Sequence, residues 1–338
     1  MQSFPFFSLF LIPISFFLAL MLTSWIKDVL SKRAVLDVPN DRSLHKIPVP
    51  RGGGWALLIV LVPSLCTAVF FLDSDYRHVG LVVSVLLLAL ISWVDDRKHI
   101  SPPMRLSMHI LAVCLGSFSF APEEMLLGGI VPFWLDRTLL ILGWAWFINL
   151  YNFMDGIDGI TGVETVSICV GLSFVLAAAG IDDPFVSFLL LILTGACLGF
   201  LAFNWHPAKI FLGDIGSVPL GYLVGFCLLS LAVKGHLAAA LILPLYYLAD
   251  SSITLVRRIL HREKFWLAHR EHFYQRAALG VGAHSTVALF VIVANACLIA
   301  AAVFSLYQQA LGICAAGLIV GVLLGKMQSV SKLSGTKS

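Results

Sequence analysis

Four polar residues, Asn149, Asn152, Asp155 and Asp158, recur at every third position of NLYNFMDGIDGI (149–160), directly after one of the most apolar runs in the chain. On a helix or its frayed end, that spacing stacks them along one face. Four hard-oxygen side chains on one strip suit Mg²⁺, or the hydroxyls and amides of a nucleotide. A calcium loop is excluded, because Ile157 and Gly159 stand where its third and fifth positions need oxygen ligands.

Four further segments carry chemistry-bearing residues. In WVDDRKHISPPMRL (93–106), Asp95 and Asp96 are adjacent at the end of an apolar run. Ionised Asp costs about 2.5–3.5 kcal/mol at a membrane helix centre and less near its end. Such a pair needs a divalent metal or a basic partner, and Arg97 and Lys98 follow it. In FNWHPAKIFLGDIGSVPLGY (203–222), Lys209 and Asp214 bracket an apolar hook, and Gly213, Gly216 and Ser217 open the next helix. An acid beside an anion-attracting helix terminus implies either a mediating metal or a simple cap. LDVPNDRSLHKIPVPRGGG (36–54) sets Lys46 and Arg51 near three glycines. That composition serves a phosphate cradle or the positive anchor of the following span. The segment 257–280 holds five Arg, one Lys and three His, with His269 and His272 three apart. It reads as an amphipathic helix on anionic lipid or as a diphosphate grip by His and Arg. No third ligand stands beside the two His to make zinc.

The elements that must position these groups are membrane helices. Of 338 residues, 59% are hydrophobic and 12% charged, about half the charge of a soluble domain. Apolar runs of spanning length recur from end to end. We therefore expect an all-α polytopic membrane protein, one membrane domain over 1–338. The spans fall at 6–26, 53–72, 79–94, 102–120, 133–150, 160–180, 185–203, 217–233, 237–256, 284–306 and 309–325, eleven in all. Lys27, Lys32 and Arg33 follow the first span and no base precedes it, the order of an anchor rather than a cleaved signal. With the amino terminus outside, 19 of the 22 Lys and Arg residues fall on one side and only Arg77, Arg137 and Lys234 on the other. The rich side is then cytoplasmic, and all five segments lie on it. The seven cysteines lie in spans without metal-ligand spacing and read as small packing residues.

Acids, Gly-rich turns and a His/Arg loop converging on one membrane face imply Mg²⁺ or Mn²⁺ and phosphate. A site at the membrane surface implies one water-soluble substrate and one lipid. The physical reading is phosphoryl transfer from a nucleotide diphosphate to a lipid, with no nucleic-acid partner.

The motifs HKIPVPRGGG, VDDRKHISPPMRL, NLYNFMDGIDGI, FNWHPAKIFLGDIGS and AHREHFYQRA, in this chain order and with this span pattern, resemble the bacterial polyprenyl-phosphate N-acetylhexosamine-1-phosphate transferases. Together they cover nearly the whole chain. The resemblance implies ten or eleven helices around a cytoplasmic cleft in the bacterial inner membrane. Undecaprenyl phosphate would attack the β-phosphorus of a UDP-N-acetyl sugar, giving undecaprenyl-diphospho-sugar and UMP. It implies that Asp95 and Asp96 are the essential acidic pair and that Asp214 is the main metal ligand. Asn152 and Asp155 would shape the nucleotide and metal pocket, with Asn149 on the same strip and Asp158 in support. His269, Arg270 and His272 would grip the diphosphate, and Lys46, Lys209 and Arg276 would neutralise phosphate. A homodimer is compatible with this reading. AHREHFYQRA is closest to the branch that starts O-antigen chains, which disfavours the peptidoglycan role.

Two other classes compete. A transporter places ionisable residues near the bilayer midplane, often in repeated broken helices; here the acids sit at span ends and no repeat is visible. A CDP-alcohol phosphotransferase concentrates its Asp in one or two adjacent helices, whereas these acids are spread over distant loops.

Overall fold

The computed structural model describes residues 6–39, 44–45, 47–73, 76–98, 100–263 and 269–332. Lys46, expected at the site, lies outside the described residues. After a short 3₁₀ turn (Phe6–Phe10), helices follow in the order α1 (Leu11–Lys32), α2 (Gly54–Leu72), α3 (Val79–Lys98), α4 (Pro102–Ser117), α5 (Phe133–Phe153), α6 (Ile160–Ala179) and α7 (Pro184–Asn204). Then come α8 (Asp214–Leu231), α9 (Leu237–Ile242), α10 (Leu245–Leu260), α11 (Phe273–Val281), α12 (His284–Ser305) and α13 (Gln309–Ser331). The described strands are β1 (Leu36–Asp37) and β2 (Val49–Pro50), an antiparallel pair with Leu36 opposite Pro50.

The chain is an all-α, multi-pass membrane protein. Among the described residues, eight helices are long and apolar enough to cross a membrane, fewer than the eleven spans expected. Three expected spans account for the difference. The one at 102–120 is α4, only 16 residues long. The one at 133–150 is α5, which carries Asp136, Arg137, Asn149 and Asn152. The one at 237–256 is divided into α9 and α10. A π-helical turn, Ala232–His236, with Gly235 at φ 89°, carries α8 into α9, and together they form one apolar stretch, Asp214–Ile242. Pro244 then precedes α10; it lacks the N–H that would continue a helix.

α8 is the central element, with nearly every residue buried. Lipid tails supply no hydrophobic drive between helices, so close packing and internal hydrogen bonds must hold it. Trp144 of α5 stacks on Tyr222 of α8 at 4.6 Å and donates Nε1–H to the Tyr222 carbonyl at 2.9 Å. At the other side of α8, a Cβ on Gly54 would lie 2.3 Å from the Gly216 nitrogen. Only glycine lets the starts of α2 and α8 meet so closely. The contact continues as a bridge between Arg51 and Phe211, which lays the loop before α2 along the loop before α8.

Candidate active site

The three acidic segments converge. Asp95 and Asp96 end α3, Asp214 opens α8, and Arg51 lies in the loop that Gly54 docks against α8. One Arg51 nitrogen, Nη2, lies 3.0 Å from Asp96 Oδ1 and 3.2 Å from Asp214 Oδ1. Arg105, from the first turn of α4, places Nη1 3.5 Å from Asp95 Oδ2 and 3.9 Å from Asp214 Oδ2. Asp95 is braced further by the Ile100 amide, which donates to Oδ1 at 2.6 Å. Burial works against the charge on Arg51, but Asp214 and then Asp96 outweigh it and raise its pKa.

Asp155 joins this group through the field. It keeps part of its surface accessible, yet burial, reinforced by the Asp214 charge, pushes its carboxyl up to about 7, against a hydrogen bond from Thr161 and the pull of Arg51. Four carboxylates (Asp95, Asp96, Asp155, Asp214) against two guanidiniums (Arg51, Arg105) leave two negative charges when all are ionised. Asn152 borders the same helix start: its Nδ2 donates to Ser217 Oγ at 2.8 Å, and Ser217 donates to the Gly213 carbonyl at 3.3 Å. That commits the NH₂ end of the amide and leaves Oδ1 as the end a cation would use. All-oxygen donors with a surplus of two negative charges fit a hard divalent ion. Asn149 sits one turn back beside His109, donating to the Ala145 carbonyl at 2.8 Å.

Asp158 goes elsewhere. α5 ends at Phe153, and Gly159, at φ 79°, turns the chain into α6. The threefold spacing therefore stops describing one face beyond Asn152. The Asp158 carboxylate lies 2.7 Å (Oδ2) from His206 Nδ1 and 3.2 Å (Oδ1) from His284 Nδ1, and accepts from the Ala208 amide at 3.1 Å. Burial opposes the charge, but His284, His206 and that amide hold Asp158 below the usual carboxylate range.

The His/Arg loop is anchored on Asp250, an acid fully buried in α10. Asp250 accepts from the amides of Phe273 and Tyr274 at 3.0 and 3.1 Å, and its Oδ1 lies 3.2 Å from His272 Nδ1. His269 stacks on His272 at 4.9 Å. Burial first, then the neighbouring charges of His272 and Arg258, push the His269 pKa down to about 4. Tyr274 donates to the Phe153 carbonyl at 2.9 Å, tying this loop to the end of α5 just before Asp155. Arg270 and Arg276 are half-buried in the same segment, whereas Lys209 is exposed.

The site-residue expectations omitted six groups that the geometry brings forward: Arg51, noted only as a base of the Gly-rich loop, and Arg105, Asp250, Tyr274, His206 and His284. Asp250 carried a signal, since an acid inside an apolar run is costly unless used. His206 and His284 carried none, because their shared partner is 48 and 126 residues away.

Residues 78–232 match the family described as glycosyl transferase family 4. A probable undecaprenyl-phosphate N-acetylglucosaminyl 1-phosphate transferase of Bacillus subtilis (strain 168) is 28% identical over 279 residues, 78% of this chain and 75% of that protein. A decaprenyl-phosphate N-acetylglucosaminephosphotransferase of Mycolicibacterium smegmatis is 32% identical, over 60% of this chain and 55% of that protein. A phospho-N-acetylmuramoyl-pentapeptide-transferase of Carboxydothermus hydrogenoformans is 26% identical, over 78% of this chain and 88% of that protein.

Proposed function

From a chain whose residues 78–232 match the glycosyl transferase family 4, we propose a transferase that moves an N-acetylhexosamine-1-phosphate from a UDP-sugar to undecaprenyl phosphate, at the cytoplasmic face of a bacterial inner membrane. The observation that carries the reading is the double bridge. Arg51 and Arg105 each join two acids from separate helices, and all three acids meet at the start of α8. The relatives named for polyprenyl-phosphate transfer support the same class.

The harder problem of this chemistry is bringing one phosphate anion against another. A lipid phosphate monoester has a second pKa of about 6 and is largely ionised at neutral pH, so it needs little deprotonation. Asp214 and Asn152 Oδ1 would hold Mg²⁺ or Mn²⁺, with Asp95, Asp96 and Asp155 completing its surroundings. The bound ion supplies charge neutralisation and polarises phosphoryl oxygens. Arg51 and Arg105 hold the acids together by offsetting part of their mutual repulsion, and would turn toward phosphate when it enters. The lipid phosphate oxygen bonds to the β-phosphorus, the α–β bridging bond breaks, and UMP leaves. His269, Arg270 and His272 stand as the diphosphate grip, with His272 held by Asp250 and His269 stacked on His272. At neutral pH His269 is uncharged and donates as a neutral ring. Asp95, with both oxygens occupied by Ile100 and Arg105, serves as a positioned anion. If it were instead a general base, Asp95→Asn activity would recover partly as pH rises; a flat, unrecovered profile supports the positioning role.

The form of AHREHFYQRA favours entry into O-antigen or related surface polysaccharide. Relatives named for phospho-N-acetylmuramoyl-pentapeptide transfer keep the peptidoglycan reaction as the second reading. The test uses purified protein, undecaprenyl phosphate, Mg²⁺ and a panel of UDP-N-acetylglucosamine, UDP-N-acetylfucosamine, UDP-N-acetylquinovosamine and UDP-MurNAc-pentapeptide. UMP release from an amino sugar, dependent on lipid and metal, is expected. Release from the pentapeptide donor alone would select the second reading, and solute flux in proteoliposomes without UMP would point to a transporter.

A further inference from the structure

The described structure brings Asp158, His206 and His284 together from three separate segments: the loop after α5, the loop before α8 and the start of α12. One potential ligand atom from each lies within 4.8 Å of the other two. Asp158 and His284 are buried, and His206 is half-buried. We propose that these three residues form a binding site for a borderline transition metal ion of the Zn²⁺ or Co²⁺ class, distinct from the acid–arginine cluster. The inference does not rest on the transferase reading.

The chemistry of the donors sets the metal. Two imidazole nitrogens and one carboxylate suit Zn²⁺, Co²⁺ or Ni²⁺, whereas Mg²⁺ takes oxygen. Both Nδ1 atoms already face the carboxylate, at 2.7 and 3.2 Å. In a tetrahedral zinc site, neighbouring ligand atoms stand roughly 3.3 Å apart. The His284 contact fits that spacing and the His206 contact must open by about half an ångström, which a half-buried ring allows. The ligand set carries one negative charge, which offsets part of the ion's desolvation. Supporting contacts hold the carboxylate and its backbone: the Ala208 amide donates to Asp158 Oδ2, and the Gly159 amide donates to Asn204 Oδ1 at 3.0 Å. Such outer contacts orient a ligand before the ion arrives.

Access is provided by a cavity of about 610 Å³ bounded by Asp158, His206 and His284 and by the His45–Phe211 ring pair. Three protein ligands with one side open to a cavity leave a fourth position for water. The competing account is that the trio is only a hydrogen-bonded strut, one carboxylate shared by two imidazoles.

The experiment is a Co²⁺ titration of the full-length, tag-free, metal-stripped protein in detergent, read by the visible absorption of the ion. One tightly bound equivalent is expected, displaced by Zn²⁺ and untouched by excess Mg²⁺. His206→Ala and His284→Ala should each weaken binding by more than about tenfold, and Asp214→Asn should bind as the wild type does. Absence of Co²⁺ binding in the wild type overturns the proposal in favour of the strut. Loss of binding in Asp214→Asn with retention in both histidine variants overturns it in favour of the acid cluster. Should a histidine variant not fold, the wild type still decides. Its Tm should rise with micromolar Zn²⁺ and not with the same Mg²⁺, and an unchanged Tm contradicts the site.

Discussion

Asp155 and Asp158 are three residues apart and end in opposite kinds of surroundings. Asp155 belongs to a group of four carboxylates and two arginines, where burial and the charge of Asp214 drive its pKa up to about 7. Asp158 sits between two histidines and an amide, which outweigh burial and drive its pKa down. One region has negative charge in excess, the other has a single anion surrounded by nitrogen. Adjacent acids of one motif thus take different chemistry from what the turn between them points each one at. On the proposed readings, a hard ion and phosphate would belong with the first, a borderline ion or a proton with the second.

The widest contrast comes from removing the anion at the centre of the first region. Asp214→Asn should lower UMP release by about 10³-fold or more, since it removes the charged ligand of the proposed metal ion that would stabilise charge in the transition state, while Co²⁺ binding at the histidine cluster is expected to stay. Next, Arg51→Ala strips the counter-charge from Asp96 and Asp214 together and should cost about 10²-fold. Arg105→Ala, with longer contacts of 3.5 and 3.9 Å, should cost about tenfold. Arg51→Lys should recover only part, because an ammonium is more strongly hydrated than a guanidinium and gives up water less readily to sit between the acids. Equal losses in the two alanine variants would erase the ranking drawn from these distances.

A smaller effect concerns pH. Asp155 is protonated below about pH 7 and ionised above it, so a role that needs the carboxylate makes activity rise as pH passes through 7. Asp155→Asn should flatten that limb. Higher Mg²⁺ should move the midpoint down, because a nearby cation favours the ionised form. For stability the sign is opposite. A carboxyl whose pKa is raised on folding takes up protons on folding between its ordinary value and about 7, so its contribution falls as pH climbs through that window. A pH series of activity and of Tm on the same preparation separates the two. The least effect is expected from Tyr274→Phe, which deletes the hydrogen bond to the Phe153 carbonyl. A loss of about 1 kcal/mol in stability, with UMP release within a few-fold of wild type, would show that this tie supports the loop without entering the chemistry.

The sequence made the membrane architecture legible because spanning helices must be long and apolar, and the chain displays them openly. It made the acid segments legible because charge at a span end is costly. The run 217–256 was read as two spans; the turn at Gly235 instead carries α8 into α9, and Pro244 sets off a separate α10. The spacing of Asn149, Asn152, Asp155 and Asp158 was readable only as far as the helix continues, and the helix stops at Phe153. Tertiary pairings were the least visible. Nothing local in GAHSTV marks His284 as a neighbour of Asp158, and nothing in PMRL marks Arg105 as a bridge between Asp95 and Asp214. The close approach of Gly54 to Gly216, which sets Arg51 in place, was visible only as two glycine-rich turns far apart in the chain.

The central claim is that acids from separate helices act as one centre around Asp214. The most direct measurement compares wild-type protein and Asp214→Asn, both shown to be folded by their Tm, for UMP release from a UDP-N-acetyl sugar with undecaprenyl phosphate and Mg²⁺. Release by the wild type that requires lipid and metal, and almost none by the variant, is expected. Turnover by Asp214→Asn at the wild-type rate would contradict the claim.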